Sequence, residues 1–173
     1  RMYRELKKNY STFTEDGSEI LTWTQGSLNV ALDKLTTSAW CVEPKGPAKG
    51  GKFEMLRYEL EARSRPTLVL AHYRVSVEGA ADVARQIGAR VGHVHGGVPD
   101  RQSGQAIRDF KAGKLDVLVG SLETLSEGHT LTAADMVIFL ETSYKPSRNT
   151  QGLRRIHRMG QTRPVTAHDY LTP

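Results

Sequence analysis

The densest chemistry in the chain lies in the stretch QGLRRIHRMGQ, Gln151 to Gln161. Its pattern predicts a basic helix over about Arg148 to Met159, on which Gln151, Arg155 and Arg158 fall at i, i+4 and i+7 and so share one face. Leu153 and Ile156 fall on the opposite side, where they can anchor the helix to a core. One amide and two guanidinium groups on a single face suit the negative charge that builds on a phosphoryl group in transfer. Arginine serves that purpose better than lysine, because its planar fork meets phosphate oxygens with two hydrogen bonds. Six Lys or Arg and no Asp or Glu occur from Ser143 to Arg163. By itself such a run reads as a solvated basic face, so the flanking sequence has to decide.

A second stretch, GPAKGGKF (Gly46 to Phe53), comes one residue short of a phosphate-binding loop. A P-loop must follow a buried strand, open a helix and end in a hydroxyl that ligands Mg²⁺. Here TTSAWCVEP is a poor central strand, Pro47 sits within the loop, and Phe53 stands where the hydroxyl is needed. The expectation is therefore a Gly/Pro/Lys-rich linker over 44–52, with Lys45, Lys49 and Lys52 on a flexible solvated loop and Gly51-Lys52-Phe53 as the entry to a helix. No metal site is expected. His93 and His95 share a strand face, but no Cys or carboxylate stands near enough in sequence to complete a ligand set, which favours packing or hydrogen bonding. Cys41 is the only cysteine, which excludes disulfides and thiolate clusters within the chain.

The elements that must position these residues follow from periodicity. FEMLRYELEARS reads as a helix with Phe53, Leu56 and Leu60 on one side. TLVLAHY (Thr67 to Tyr73) is a short apolar run of the kind that forms a strand buried on both faces. A helix with Val77, Ala80, Ala81, Ala84 and Ile87 as its stripe follows, stopped by Gly88. Next come a strand over Ala89 to His95, a helix capped by Asp100 with Ala106, Ile107 and Phe110 inward, a strand over Leu115 to Gly120, a short helix near Leu122 to Ser126, and strands over Asp135 to Glu141 and Val165 to Leu171. Ahead of these, apolar positions are scattered, with one helix near Ser27 to Leu35. Alternating strands and helices demand parallel pairing with right-handed crossovers, and function then gathers in the loops beyond the carboxyl ends of the strands.

The order and spacing of these segments carry a resemblance. QGLRRIHRMGQ resembles motif VI of superfamily 2 helicases in the form typical of Swi/Snf-type DNA translocases. RPTLVLAHY resembles the motif IV strand, HGGVPDRQSGQAIRDFKAG the stretch after it, and VLVGSLETLSEGHTLTAADMVIFLETSYKP motif V and the following strand. YRELKKNY and LNVALDKLTT are similar to the segment between the family's two lobes. The sequence departs from the pattern at Glu127-Gly128-His129, at Arg154 and at Tyr144-Lys145-Pro146. The resemblance implies a RecA-like, doubly wound parallel α/β sheet with helices on both faces over 53–173, preceded by a short helical N-terminal segment over 1–43.

It also implies roles. Arg155 and Arg158 would be arginine fingers and Gln151 would orient them or the phosphate, with Glu127 and Gly128 lining the nucleotide cleft. Arg74 and Arg101, read as exposed-loop basics, would meet a DNA backbone together with Gly96, Gly97, Ser121, Thr124 and Lys145; for Ser121 and Thr124, helix capping stands as an equal reading. ATP with Mg²⁺ would be held mainly by an N-terminal lobe of the same parent chain, since no Walker A hydroxyl and no DExx sequence is present here. The expected partners are that lobe and DNA, duplex or branched. The RMYRELKKNY start is charged and reads as a fragment of a longer chain, no apolar run is long enough to span a bilayer, and an intracellular setting fits. Two other readings stay open: a non-catalytic RecA-like binding module, and an unrelated doubly wound enzyme such as a nucleotide-sugar transferase.

Overall fold

The computed structural model describes residues 1–14, 17–125, 130–142, 146–154 and 161–171. The N-terminal part is α1 (Met2–Asn9), an antiparallel hairpin of β1 (Ser11–Phe13) and β2 (Glu19–Leu21), α2 (Gln25–Thr37) and a 3₁₀ turn over Ala39–Cys41. Thr24 and Ser27 start α2 with a reciprocal capping box. The hairpin departs from the expected helical segment. Its signal was the Asp-Gly pair at 16–17 between two short runs with β-branched residues, and Gly17 does take a positive φ of 85°.

From α3 (Lys52–Ala62) onward the alternation is regular: β3 (Thr67–Ala71), α4 (Arg74–Gln86), β4 (Val91–Val94), α5 (Asp100–Lys111), β5 (Val117–Ser121), α6 (Leu122–Leu125), β6 (Met136–Phe139), α7 (Pro146–Arg154) and β7 (Thr166–Asp169). The five strands form one parallel sheet in the order β4-β5-β3-β6-β7. Every residue of β3 and β5 is buried, because period-2 alternation sends apolar side chains into two separate cores. Val69, Val119 and Ile138 pack with Phe53, Leu56, Leu60, Val77, Ala80 and Ala84 of α3 and α4. Leu68, Leu70, Leu118 and Val137 pack on the other face with Ile107 and Phe110 of α5 and with Leu122, Leu125 and Leu131. Helices thus cover both faces, as a RecA-like α/β sheet requires. Among the described residues no helix is long and apolar enough to cross a membrane.

Two local expectations need correction. Asp100 does not cap α5; it is the first helical residue, Pro99 occupies the cap, and no side chain closes it. Proline has a φ preset for helix entry and no N–H to satisfy, which leaves Asp100 to act only on the helix dipole. The 44–52 stretch is also no solvated tether. Ala48 is fully buried and its N–H donates to Asp82 Oδ2 at 2.7 Å. Ser38 Oγ donates to the Lys49 carbonyl at 2.6 Å, and Trp40 Nε1 to the Gly46 carbonyl at 3.1 Å. Lys45 and Lys49 remain exposed, whereas Lys52 is half-buried and donates to the Leu140 carbonyl at 2.9 Å.

Candidate functional site

Sheet order puts the carboxyl ends of β3, β5 and β4 side by side, and the described residues among those expected to meet a polyanion gather there. Arg74 is the first residue of α4 and Arg101 the second of α5, so both lie on helix N-termini rather than in loops. Each is exposed, as are Gly96 and Gly97 in the turn after β4. Neither glycine has a positive φ; Gly97 instead allows a close approach. A Cβ on it would lie 2.7 Å from Nη1 of Arg74 and 2.9 Å from its Cζ. The Arg74 guanidinium therefore rests on the Gly97 backbone, spanning the end of β5 between them.

Ser121 ends β5 and is 8% exposed. Its Oγ accepts from Thr124 N–H at 3.2 Å and lies 2.7 Å from Thr124 Oγ1. The capping reading of this pair is thus realised, with the hydroxyls at the same strand ends as the arginines. His95 is buried and His93 half-buried, with ring centroids 5.7 Å apart. Desolvation holds both imidazoles below the ordinary histidine range, with Arg85 adding to the effect at His93 and Arg74 at His95. Among the described residues, no three His, Cys, Asp or Glu side chains cluster as a metal would need.

A different arrangement occupies the junction between β3 and β6, where the direction of strand winding reverses. Ligands of doubly wound sheets settle at such a crevice. Here Glu141, just beyond β6, fills it. Its Oε1 accepts from Thr37 Oγ1 and Ser76 Oγ, each at 2.6 Å, and its Oε2 accepts from the backbone N–H of His72 at 2.9 Å and of Tyr73 at 3.0 Å. The carboxylate sits at the positive end of α4, where an external anion would otherwise bind. A cleft of about 200 Å³ beside it is lined by Asp33, Lys52, His72 and Tyr73. Burial holds the Lys52 ammonium below its usual range, with Glu141 and Asp33 opposing. Cys41 Sγ lies 3.7 Å from Ser76 Oγ, and its thiol is pushed up to about 12, mainly by burial.

The sequence-derived reading missed Glu141 as a hub. Its only signal was an acidic residue closing the apolar run DMVIFLE.

Stretch 46–53 does not fit a phosphate. Phe53 is fully buried against Trp40 at a ring distance of 5.9 Å. A Cβ at Gly51 would stand 2.1 Å from the Thr37 carbonyl oxygen, and Gly50 N–H donates to Glu54 Oε1.

Gln151 is exposed on α7, and Leu153 packs against the core shared with α5, as the facing pattern required. Gln161 Nε2 donates to the carbonyl of Ala134 at 2.8 Å, tying the end of the arginine-rich stretch to the loop that leads into β6. Asp135, 7% exposed, pairs with Arg65 at 2.6 Å and Arg163 at 3.6 Å. Arg155, Arg158, Glu127, Gly128 and Lys145 lie outside the described residues, as does Ile156.

The helicase conserved C-terminal domain family matches residues 51–160, well over half of the chain. The chain belongs to that family. Its relatives are of Swi/Snf type, and the chain is a Swi/Snf-type superfamily 2 helicase C-terminal lobe. The SWI/SNF-related matrix-associated actin-dependent regulator of chromatin subfamily A-like protein 1 of Drosophila melanogaster is 30% identical over 99 residues, 57% of this chain and 13% of that protein. The DNA annealing helicase and endonuclease ZRANB3 of Mus musculus is 28% identical over 123 residues, 70% of this chain and 12% of that protein. The helicase lobe thus spans about an eighth of the length of these relatives.

Among solved structures, the C-terminal part of the Fun30 ATPase domain superposes with a TM-score of 0.66 at 18% identity, over 90% of this chain and 54% of that one. The C-terminal domain of the DEAD-box protein Dbp5 gives 0.61 at 18% identity, over 70% of each. At these identities the likeness speaks for the RecA-like fold.

Proposed function

We propose that this helicase lobe is one half of an ATP-dependent DNA translocase motor acting inside the cell, and that it meets ATP through Arg155 and Arg158. Residues 1–43 would be the segment between lobes, 44–52 the connecting loop and 53–173 the lobe itself. Gln151 orients the fingers or the phosphate, and Glu127 and Gly128 line the nucleotide cleft. Membership in the helicase conserved C-terminal domain family supports this reading most directly, because it brings the motif VI spacing of Gln151, Arg155 and Arg158 into a known context. ATP with Mg²⁺ supplies the hydrolysis that drives movement, and an N-terminal lobe of the parent chain holds it. Two guanidinium groups approaching from this lobe stabilise charge on the transferring phosphoryl group, so hydrolysis requires the lobes to close on each other.

The DNA backbone runs along the strand ends, against Arg74, Gly96, Gly97, Arg101, Ser121, Thr124 and Lys145. The exposure of both arginines and both glycines on one rim supports that path, and phosphate contacts of this sort position without reading sequence.

In the intact protein, Arg158→Ala lowers kcat for DNA-stimulated ATP hydrolysis by about 10³-fold or more, the scale of a lost arginine finger, and leaves DNA affinity within about twofold. An unchanged kcat rejects the finger. The isolated chain shows no DNA-stimulated turnover; robust turnover by residues 1–173 alone contradicts the two-lobe requirement.

A further inference from the structure

Two parts of the proposed DNA rim, Arg74 at the start of α4 and the Gly96-Gly97 turn after β4, belong to different elements, and no local backbone link fixes their spacing. One side chain joins them. His95 is 4% exposed, and its Nδ1 accepts the backbone N–H of Gly97 at 3.0 Å. An accepting Nδ1 carries no proton, so the neutral ring is protonated at Nε2. That nitrogen lies 3.5 Å from Glu78 Oε1, and the same oxygen accepts from Arg74 Nε at 2.8 Å. The circuit closes where the Arg74 guanidinium rests on Gly97, a contact that a Cβ at that position would push aside. The turn is further held by Val98 N–H donating to the His95 carbonyl at 2.8 Å.

We propose that His95 is a positioning residue for the nucleic-acid rim: through Gly97 on one side and Glu78 on the other, it sets the distance between the turn after β4 and the Arg74 guanidinium. The proposal rests on the reading that this rim faces a nucleic-acid backbone. Consecutive phosphates on a strand keep a fixed spacing, so donors on separate elements bind them together only when their separation is fixed beforehand. Glu78 has a second effect. It holds Arg74 by its Nε edge and leaves Nη1 over Gly97.

The test uses residues 1–173 and a fluorescently labelled duplex in low salt, read by anisotropy. His95→Phe keeps a ring and removes the acceptor; His95→Asn places an amide oxygen near the position of Nδ1. His95→Phe is expected to weaken binding about fivefold to tenfold, the scale of one lost hydrogen bond with its network, and His95→Asn to restore it to within about twofold. Arg74→Ala is the reference loss.

If Arg74→Ala weakens binding and His95→Phe does not, the relay is overturned and the DNA rim stands. If wild type does not bind, or binding ignores Arg74→Ala, the rim falls and the positioning role falls with it. The ¹⁵N pattern of the His95 imidazole gives a readout independent of DNA and of any loss of stability. A neutral ring protonated at Nε2 supports the relay, and one protonated at Nδ1 overturns it.

Discussion

Two places in this helicase lobe offer backbone N–H groups and helix N-termini to an anion, and they are finished in opposite ways. At the junction of β3 and β6 the anion is the chain's own. Glu141 takes four hydrogen bonds, including both backbone donors ahead of α4, and is 7% exposed. At the ends of β3, β4 and β5 the surface is left open to water, with Arg74, Gly96, Gly97 and Arg101 all exposed. Buried charge is tolerated only with full hydrogen bonding, and that is the condition of the first place. An exposed rim with fixed donors is the condition for exchanging water with a mobile polyanion. On the proposed reading, the contrast separates stability from binding within a single layer at the strand ends.

The sharpest way to break the contrast is Glu141→Ala. It strands two hydroxyls and two backbone donors, a loss of roughly 3 kcal/mol or more, measured by urea denaturation of the 1–173 chain. A loss below about 1 kcal/mol would mean the crevice admits water and is not closed. Next is Arg101→Ala, expected to leave the unfolding midpoint unchanged while reducing the salt slope of DNA binding by about one. An unfolding midpoint that moves with binding would put Arg101 in the fold and remove it from the rim.

The smallest effect is on pH. The folded state holds His93 and His95 below the ordinary histidine value, mainly by desolvation, so the unfolded chain takes up protons first. Stability is full above about pH 6.5 and declines as pH falls through the folded values. Around the pair, Arg85 and Arg74 add to the cost of protonation, and Glu78 reduces it. Thermal melts at pH 7.5 and 5 measure the decline, and a His93→Gln, His95→Asn double variant should flatten it.

The sheet was legible because its signals are local. TLVLA is apolar at every position and became a strand buried on both faces; the stripe Val77, Ala80, Ala81, Ala84 became the buried side of α4. Motif spacing pointed to the rim for the same reason, since Arg74, Gly97 and Arg101 each follow a strand end. Partners far apart in sequence were not legible. Glu141 meets Thr37 across 104 residues, and nothing in either neighbourhood announces the other. Arg74 and Arg101 were expected in loops, but α4 begins three residues before Val77 and α5 six before Ala106, because the first turn of a helix needs no buried side chain. The 44–52 stretch looked like a tether from composition, yet its carbonyls and amides found Ser38, Trp40 and Asp82, satisfying the requirement that buried backbone be paired.

Phe53 has a consequence for anyone who would engineer this lobe. Its ring sits edge-on to Trp40, and a Cβ added to Gly79 of α4 would lie 2.4 Å from it. Restoring the missing letter of the Walker pattern by Phe53→Ser would therefore not build a nucleotide pocket. It would excavate the joint between α3 and α4, at a cost of roughly 3–5 kcal/mol. A graft of phosphate binding onto this scaffold has to begin elsewhere on the surface, at a position that is not already holding two helices apart.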